Sequence, residues 1–188
     1  MTNREENILE AALRAFTRFG VTRTSMADIA REAGISRQTL YKSFRSKDDV
    51  LRTHLRLYTE AVASRMEAAL ADAKGLEQQL DVIFREMTIA SFDLVRATPN
   101  GQEIEDEFEE GSREELEKAA QLYQAIIKGV LMPFETELCV SGTSPKDLAD
   151  FIQRSARAAK AYAKDRNHLL QQLATLKQLC LTAAKASH

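Results

Sequence analysis

The chain has 188 residues, 44% of them apolar, with 26 Lys and Arg against 28 Asp and Glu. That length supports one large or two small domains with a buried core and excludes a mini-protein that depends on disulfide staples. The net charge of −2 excludes little until it is divided by position: residues 1–50 hold nine Lys/Arg and seven Asp/Glu, the remainder seventeen and twenty-one, so a basic N-terminal segment precedes an acidic body.

Cys139 and Cys180 stand far apart with no CxxC or Cys/His spacing, so neither a zinc site nor a disulfide framework is expected; both suit small apolar core positions. The opening MTNREENILE lacks the apolar run of a secretory signal, and no stretch offers eighteen uncharged apolar residues. A soluble cytoplasmic protein without membrane contact is therefore expected. With 7 Gly, 3 Pro and no Trp among many Ala, Leu, Glu, Arg and Lys, the fold class predicted is all-α.

From Arg4 to Phe19 the apolar residues Leu9, Ala12, Leu13, Phe16 and Phe19 follow a helical period, and Gly20 followed by Val21 has the form of a C-terminal cap. Thr24 or Ser25 then caps a short second helix, with Asp28 completing a capping box and Met26, Ile29, Ala30 and Ala33 on one face; Gly34 ends it. Ser36 caps a third helix in which Leu40 and Phe44 point inward while Arg37, Gln38, Thr39, Tyr41 and Lys42 stay outside. A long fourth helix runs on from Ser46 through Leu51, Leu55, Tyr58, Val62 and Met66, closed by Gly75.

Between Leu76 and Val95 apolar residues occupy nearly every face, which predicts a buried helix; TPNG at 98–101 breaks it, and an acidic segment comes next. Glu103 to Glu117 is expected to be a solvated connector whose acids favour the next helix's N-terminus. Ser112 with Glu115 caps a further helix that Pro133 kinks or ends, and Ser144, Pro145 and Asp147 open the first of two final helices. In the last, Leu169, Leu173, Leu176, Cys180 and Ala183 form a seam suited to a partner helix. The aromatic and Met residues Phe84, Met87, Phe92, Tyr123, Phe151 and Tyr162 read as core.

The stretch DIAREAGISRQTLYKSF joins two short helices through a glycine turn, the form of a helix-turn-helix whose second helix enters the DNA major groove. The residue chemistry agrees. Gly34 permits the turn, Ala30 lets the helices approach, and Ile29, Ile35 and Leu40 fill the joint, while Arg matches guanine, Gln matches adenine, and Thr meets bases or the thymine methyl. Lys and Tyr suit phosphates. His54, His168 and His188 are isolated by spacing; with no Ser/His/Asp set, HExxH or glycine-rich phosphate loop, no enzyme, metal or cofactor is expected.

The segments ILEAALRAFTRFG and TSMADIAREAGISRQTLYKSFRSKDDVL, in this order and spacing, resemble the TetR family of bacterial transcriptional regulators over roughly the first fifty residues. The resemblance implies about nine helices: a three-helix helix-turn-helix domain at 1–48 and a larger effector-binding and dimerisation domain at 49–188. It implies groove-facing roles for Arg37, Gln38, Thr39 and Lys42, phosphate contacts from Tyr41 and Lys47, and backbone contacts around Thr24 and Ser25. It also implies a small-molecule effector of unspecified chemistry in the body, where His54, Tyr58, Phe84, Met87, Phe92 and Tyr123 are the candidate lining. Phe151, Ile152, Leu169, Leu173, Leu176 and Cys180 are the candidate homodimer interface. The partner expected is double-stranded DNA carrying a palindromic operator, with repression the expected outcome. The alternative is a chain of the same fold that binds small molecules or proteins with operator reading weakened; the Arg37, Gln38, Lys42 and Lys47 set argues against it.

Overall fold

The computed structural model of the chain describes residues 2–185, and among them every regular element is helical. In chain order these are α1 (Asn3–Phe19), α2 (Met26–Glu32), α3 (Arg37–Ser43), α4 (Lys47–Asp72), α5 (Gly75–Phe84), a π-helical turn (Arg85–Ile89), α6 (Ala90–Ala97), α7 (Gly101–Gly111), α8 (Arg113–Leu131), a 3₁₀ turn (Met132–Phe134), α9 (Glu135–Val140), α10 (Pro145–Tyr162) and α11 (Arg166–Ala183). Because the π turn joins α5 to α6 and the 3₁₀ turn at Pro133 joins α8 to α9, the described residues form nine helical rods. They divide into two compact units, one running to Thr59 and including Leu94–Glu117, the other made of Glu60–Asp93 and the residues from Lys118 onward. The boundary expected at residue 48 falls inside the first unit.

In the first unit the helix ends are set by side chains named in the sequence. The Ser25 side chain accepts from the Asp28 N–H while Asp28 reaches back to Ser25, a complete capping box, and Ser36 caps α3 by accepting from the Thr39 N–H at 3.1 Å. After α2 the chain reverses through a Schellman closure: the Ile35 N–H donates to Ala30 O and the Gly34 N–H to Arg31 O, with Gly34 at φ +67. This geometry sets the angle between α2 and α3. Under it lies one continuous core of Ile8, Leu9, Ala12 and Phe16 from α1 with Val21, Ile29, Ala30, Leu40, Phe44, Val50 and Leu51. Each large member contributes about 1.5–3 kcal/mol relative to exposure.

The same core includes Ile104, with Phe108 packed against it, so α7 is part of this unit. The acidic segment is therefore not a solvated connector throughout: one face of α7 is apolar and buried while its carboxylates occupy the remainder.

The second unit packs α10 on α11 and α11 on α5, with Leu80, Ile83, Ile152 and Leu169 fully buried. Lys177 of α11 bridges Glu77 at 3.5 Å and Asp81 at 2.8 Å on α5, and Arg166 holds Asp93 at 2.9 Å. The π turn, absent from the periodic reading of 76–95, places Thr88 in the interior and rotates the residues after it, so Leu94 emerges into solvent.

Three expectations are corrected in this unit. The seam of Leu169, Leu173, Leu176 and Cys180 is buried within its own chain, as is Ile152, because the partner helices this spacing calls for are α10 and α5 of the same molecule. Phe151 and Tyr162 are not core: they are 56% and 81% exposed, and Leu179 of α11 is exposed as well. Cys139 lies exposed on α9, whereas Cys180 is buried and its thiol is pushed up to about 11 by that burial.

Candidate nucleic-acid interface

The outward side of α3 carries Arg37, Gln38, Tyr41 and Lys42, all exposed, over the buried Leu40 and the adjoining Phe44. Among the described residues, none of these four side chains is tied up in a hydrogen bond or an ion pair. This is the arrangement a reading helix needs: fixed Cα positions from the core beneath, with donors uncommitted above. Arg37, in the first turn, presents five N–H donors, and Gln38 both a donor and an acceptor.

The other predicted contacts fare differently. Thr39 is half-buried, and its hydroxyl shares a 2.9 Å hydrogen bond with that of Ser36, so it serves the cap as well as any groove contact. Ser25 is exposed, but its hydroxyl is bound to Asp28 in the capping box. Thr24 is buried, and its hydroxyl donates to the Gly20 carbonyl at 2.6 Å, so that side chain is directed at the fold and away from any phosphate. Lys47 Nζ donates to the Val21 carbonyl at 2.7 Å, which makes it first a tie between the start of α4 and the end of α1.

Both ties converge on residues 20–24, and so does a third from α7. The Glu103 carboxylate accepts the Thr22 N–H at 2.8 Å, while Asn100, in the left-handed region at φ +55, donates from Nδ2 to the Thr17 carbonyl at 2.8 Å. The backbone N–H groups of Thr22 and Val21, helped by the charge of Arg23, hold the Glu103 carboxyl below its ordinary range. The turn that leads into α2 is thus positioned from three helices. Neither Glu103 nor Asn100 is recognisable as a support residue in the sequence, because their partners lie about eighty positions away.

The residues expected to line an effector cavity belong to different units. His54 and Tyr58 lie in the first; His54 is half-buried, its ring stacked on Phe108 at 6.2 Å with the planes 8° apart, and burial lowers its pKa, favouring neutral imidazole. Phe84, Met87, Phe92 and Tyr123 lie in the second, the two phenylalanines buried and the other two half-buried. No helix among the described residues is long and apolar enough to cross a membrane. Among the same residues, no group of three or more His, Cys, Asp or Glu side chains is placed to hold a metal ion.

A short helix, a glycine-closed reversal and a second helix with an unengaged polar face define a helix-turn-helix protein. Likeness to known proteins narrows the class. Residues 8–53 match the model of the bacterial regulatory proteins of the tetR family. The chain is 46% identical over 48 residues to the HTH-type transcriptional regulator TtgR of Pseudomonas putida, covering 26% of this chain and 23% of that one. It is 32% identical over 94 residues to the HTH-type transcriptional repressor ComR of Escherichia coli, covering 50% and 44%. It thus spans less than half the length of these curated relatives. In fold, the fatty acid degradation regulator FadR from Bacillus halodurans superposes with a TM-score of 0.70 over 96% of both chains at 16% identity. A TetR-family transcriptional regulator from Pectobacterium atrosepticum superposes at 0.67 and 22% identity, over 93% of this chain and 91% of that one. Residues 8–53 thus carry the N-terminal DNA-binding domain of the tetR family of bacterial regulatory proteins, and the whole chain shares the fold of these solved structures.

Proposed function

We propose that the protein is a DNA-binding transcriptional regulator, a homodimeric repressor that reads a palindromic operator and is released by a small-molecule effector. The observation that carries this reading is the uncommitted set of Arg37, Gln38, Tyr41 and Lys42 on α3, standing on the Ile29, Leu40 and Phe44 core. Arg pairs bidentately with guanine and Gln with adenine, each good pair contributing about 1–3 kcal/mol of discrimination, while Tyr41 and Lys42 fit the strand on either side. Lys47 and Ser25 would add backbone contacts only through donors left over from their structural bonds.

Dimerisation is supported by apolar side chains left on the outside of the last long helices, Phe151 and Tyr162 on α10 and Leu179 on α11. Exposed aromatic residues of this size are characteristic of interface anchors. Two-fold symmetry then requires an operator of two inverted half-sites, with reading helices about 34–36 Å apart to enter successive major grooves. An effector bound by the second unit would release DNA by favouring a conformation in which that spacing is lost.

The test is selection of bound sequences from a random duplex library. Enrichment of an inverted repeat with half-site centres about one helical turn apart is expected. Recovery of no motif at moderate salt would reject the proposed role.

A further inference from the structure

Between α5 and α6 the backbone makes a π-helical turn, Arg85–Ile89, in which the Ala90 N–H donates to the Arg85 carbonyl five residues back. Such a turn holds one residue more than the α-helical path; it is rare, and it recurs at functional sites. Nothing local demands it here. The sequence REMTI contains neither Gly nor Pro, and Arg, Glu and Met are good α-helix formers.

Packing within the second unit holds the turn open. Thr88 is buried, its carbonyl accepts the Ser91 hydroxyl at 3.2 Å, and the turn packs on α10. Glu86, largely buried, stands between Arg85 at 2.9 Å and Arg65 of α4 at 3.6 Å. Beyond the turn Phe92 is buried and Asp93 holds Arg166 of α11. The segment therefore has two discrete registers. Each α-helical residue rotates the chain by about 100° and advances it about 1.5 Å, so closing the turn to α-helix on a fixed α5 carries every later residue to the place its successor holds now. Ser91 then occupies the buried place of Phe92, Phe92 moves to the edge where Asp93 stands, and Asp93 leaves Arg166. The π register keeps the Phe92 ring and the Asp93 pair in place but strains the local helical preference; the α register does the reverse. Side chains in a packed interior fill one set of places or the other.

We propose that Arg85–Ile89 is a register switch by which the second unit controls the first, its π form keeping the Asn100 and Glu103 bonds to the end of α1 and the turn after it. α6 belongs to the second unit up to Asp93 and to the first from Leu94, so a change of register begun in one is carried into the other along a single helix. The end of α6 leads at once to Asn100 and Glu103, which hold Thr17 and Thr22 before the entry to α2. Rotating α6 by one residue position pulls on both bonds. The consequence for DNA rests on the reading role proposed above; the switch itself does not.

Two variants of the full chain separate the registers. Deleting Arg85, the exposed residue that opens the turn, leaves a continuous α-helix with Phe92, Asp93 and Leu94 where they stand now. Exchanging two neighbours, Ser91→Phe with Phe92→Ser, favours the α register, because the phenyl ring regains the buried place only after the one-residue rotation. Amide hydrogen exchange, with circular dichroism as the check on folding, follows residues 86–97 and 17–24. The deletion should slow exchange over 86–97 and keep wild-type affinity for the duplex recovered by selection. The exchanged pair should speed exchange over 17–24 and weaken that affinity about tenfold. A deletion variant that does not fold, or that exchanges over 86–97 like wild type, would overturn the switch. So would a folded exchanged-pair variant with wild-type exchange over 17–24, and faster exchange with undiminished affinity would overturn its control of the reading head. If the exchanged pair unfolds, the deletion decides. A wild type that binds no duplex, with both exchange results as expected, would reject the DNA-reading role and leave the switch standing.

Discussion

The Glu103 carboxylate accepts the Thr22 amide proton at 2.8 Å across 81 positions of sequence, and in doing so it fills the space where a side chain on Gly20 would stand. Gly20 adopts φ +81, ψ 158, a region that only glycine enters without strain, and a Cβ built there would collide with the Glu103 carboxylate. The carboxylate could swing away only by giving up the Thr22 N–H. Gly20→Ala should therefore cost about 1–3 kcal/mol in denaturant melts, and Glu103→Ala in the same background should relieve the clash but not the backbone strain. Strictly additive single-mutant effects would contradict this.

The same bond gives Glu103 a pH signature. Its carboxyl titrates below the ordinary value of 4.5, so its contribution to stability is present above that value and is lost as pH falls through the lowered one. The melting temperatures of wild type and Glu103→Gln should differ at neutral pH and converge in acid. A difference unchanged down to the acid limit would show that the charge is not what the turn uses.

Lys47 reads in the sequence as a phosphate contact, but its ammonium is bonded to the Val21 carbonyl. Lys47→Met should therefore lower stability by about 1–2 kcal/mol at this partly exposed position, beyond any loss of DNA affinity. A variant with wild-type stability and a shallower salt slope would restore the simpler phosphate role.

The inward seam and the outward apolar residues separate two kinds of substitution on the last helices. Leu173→Glu places an unpaired charge in the core and should destabilise the second unit by about 4–5 kcal/mol. Tyr162→Glu with Leu179→Glu should leave the melt intact while shifting the light-scattering mass to one chain. A dimer that survives the double substitution would place the interface elsewhere.

Burial also separates the two thiols. At pH 8 an alkylating reagent should modify Cys139 in the native protein and spare Cys180, whose thiol is both inaccessible and shifted up to about 11. Equal labelling, read by mass spectrometry, would mean that α11 opens readily.

Local chemistry makes much of the first unit readable from sequence. The Ser25–Asp28 box, the Ser36 cap and Gly34 carry their geometry in a few adjacent residues, and the bend between α2 and α3 results from them. The inward period of Leu40 and Phe44 likewise requires the outward face of Arg37, Gln38, Tyr41 and Lys42. The features that stay hidden depend on partners distant in sequence. A heptad-like seam does not say whether its partner is its own chain, which is why Leu169 to Cys180 suggest a dimer and form a core. An acidic run does not reveal that Ile104 joins the core under α1 or that Glu103 holds the turn after it, and a helix apolar on every side conceals a π turn before the exposed Leu94.

Base reading by α3 can be tested without intermediaries by the affinity of wild type and Arg37→Ala for a selected operator and for the same duplex changed at one guanine in each half-site. Arg37→Ala should lose about 1–3 kcal/mol on the intact operator and no longer distinguish the two duplexes, with its salt slope nearly unchanged. Equal discrimination by both proteins would contradict base reading by this helix.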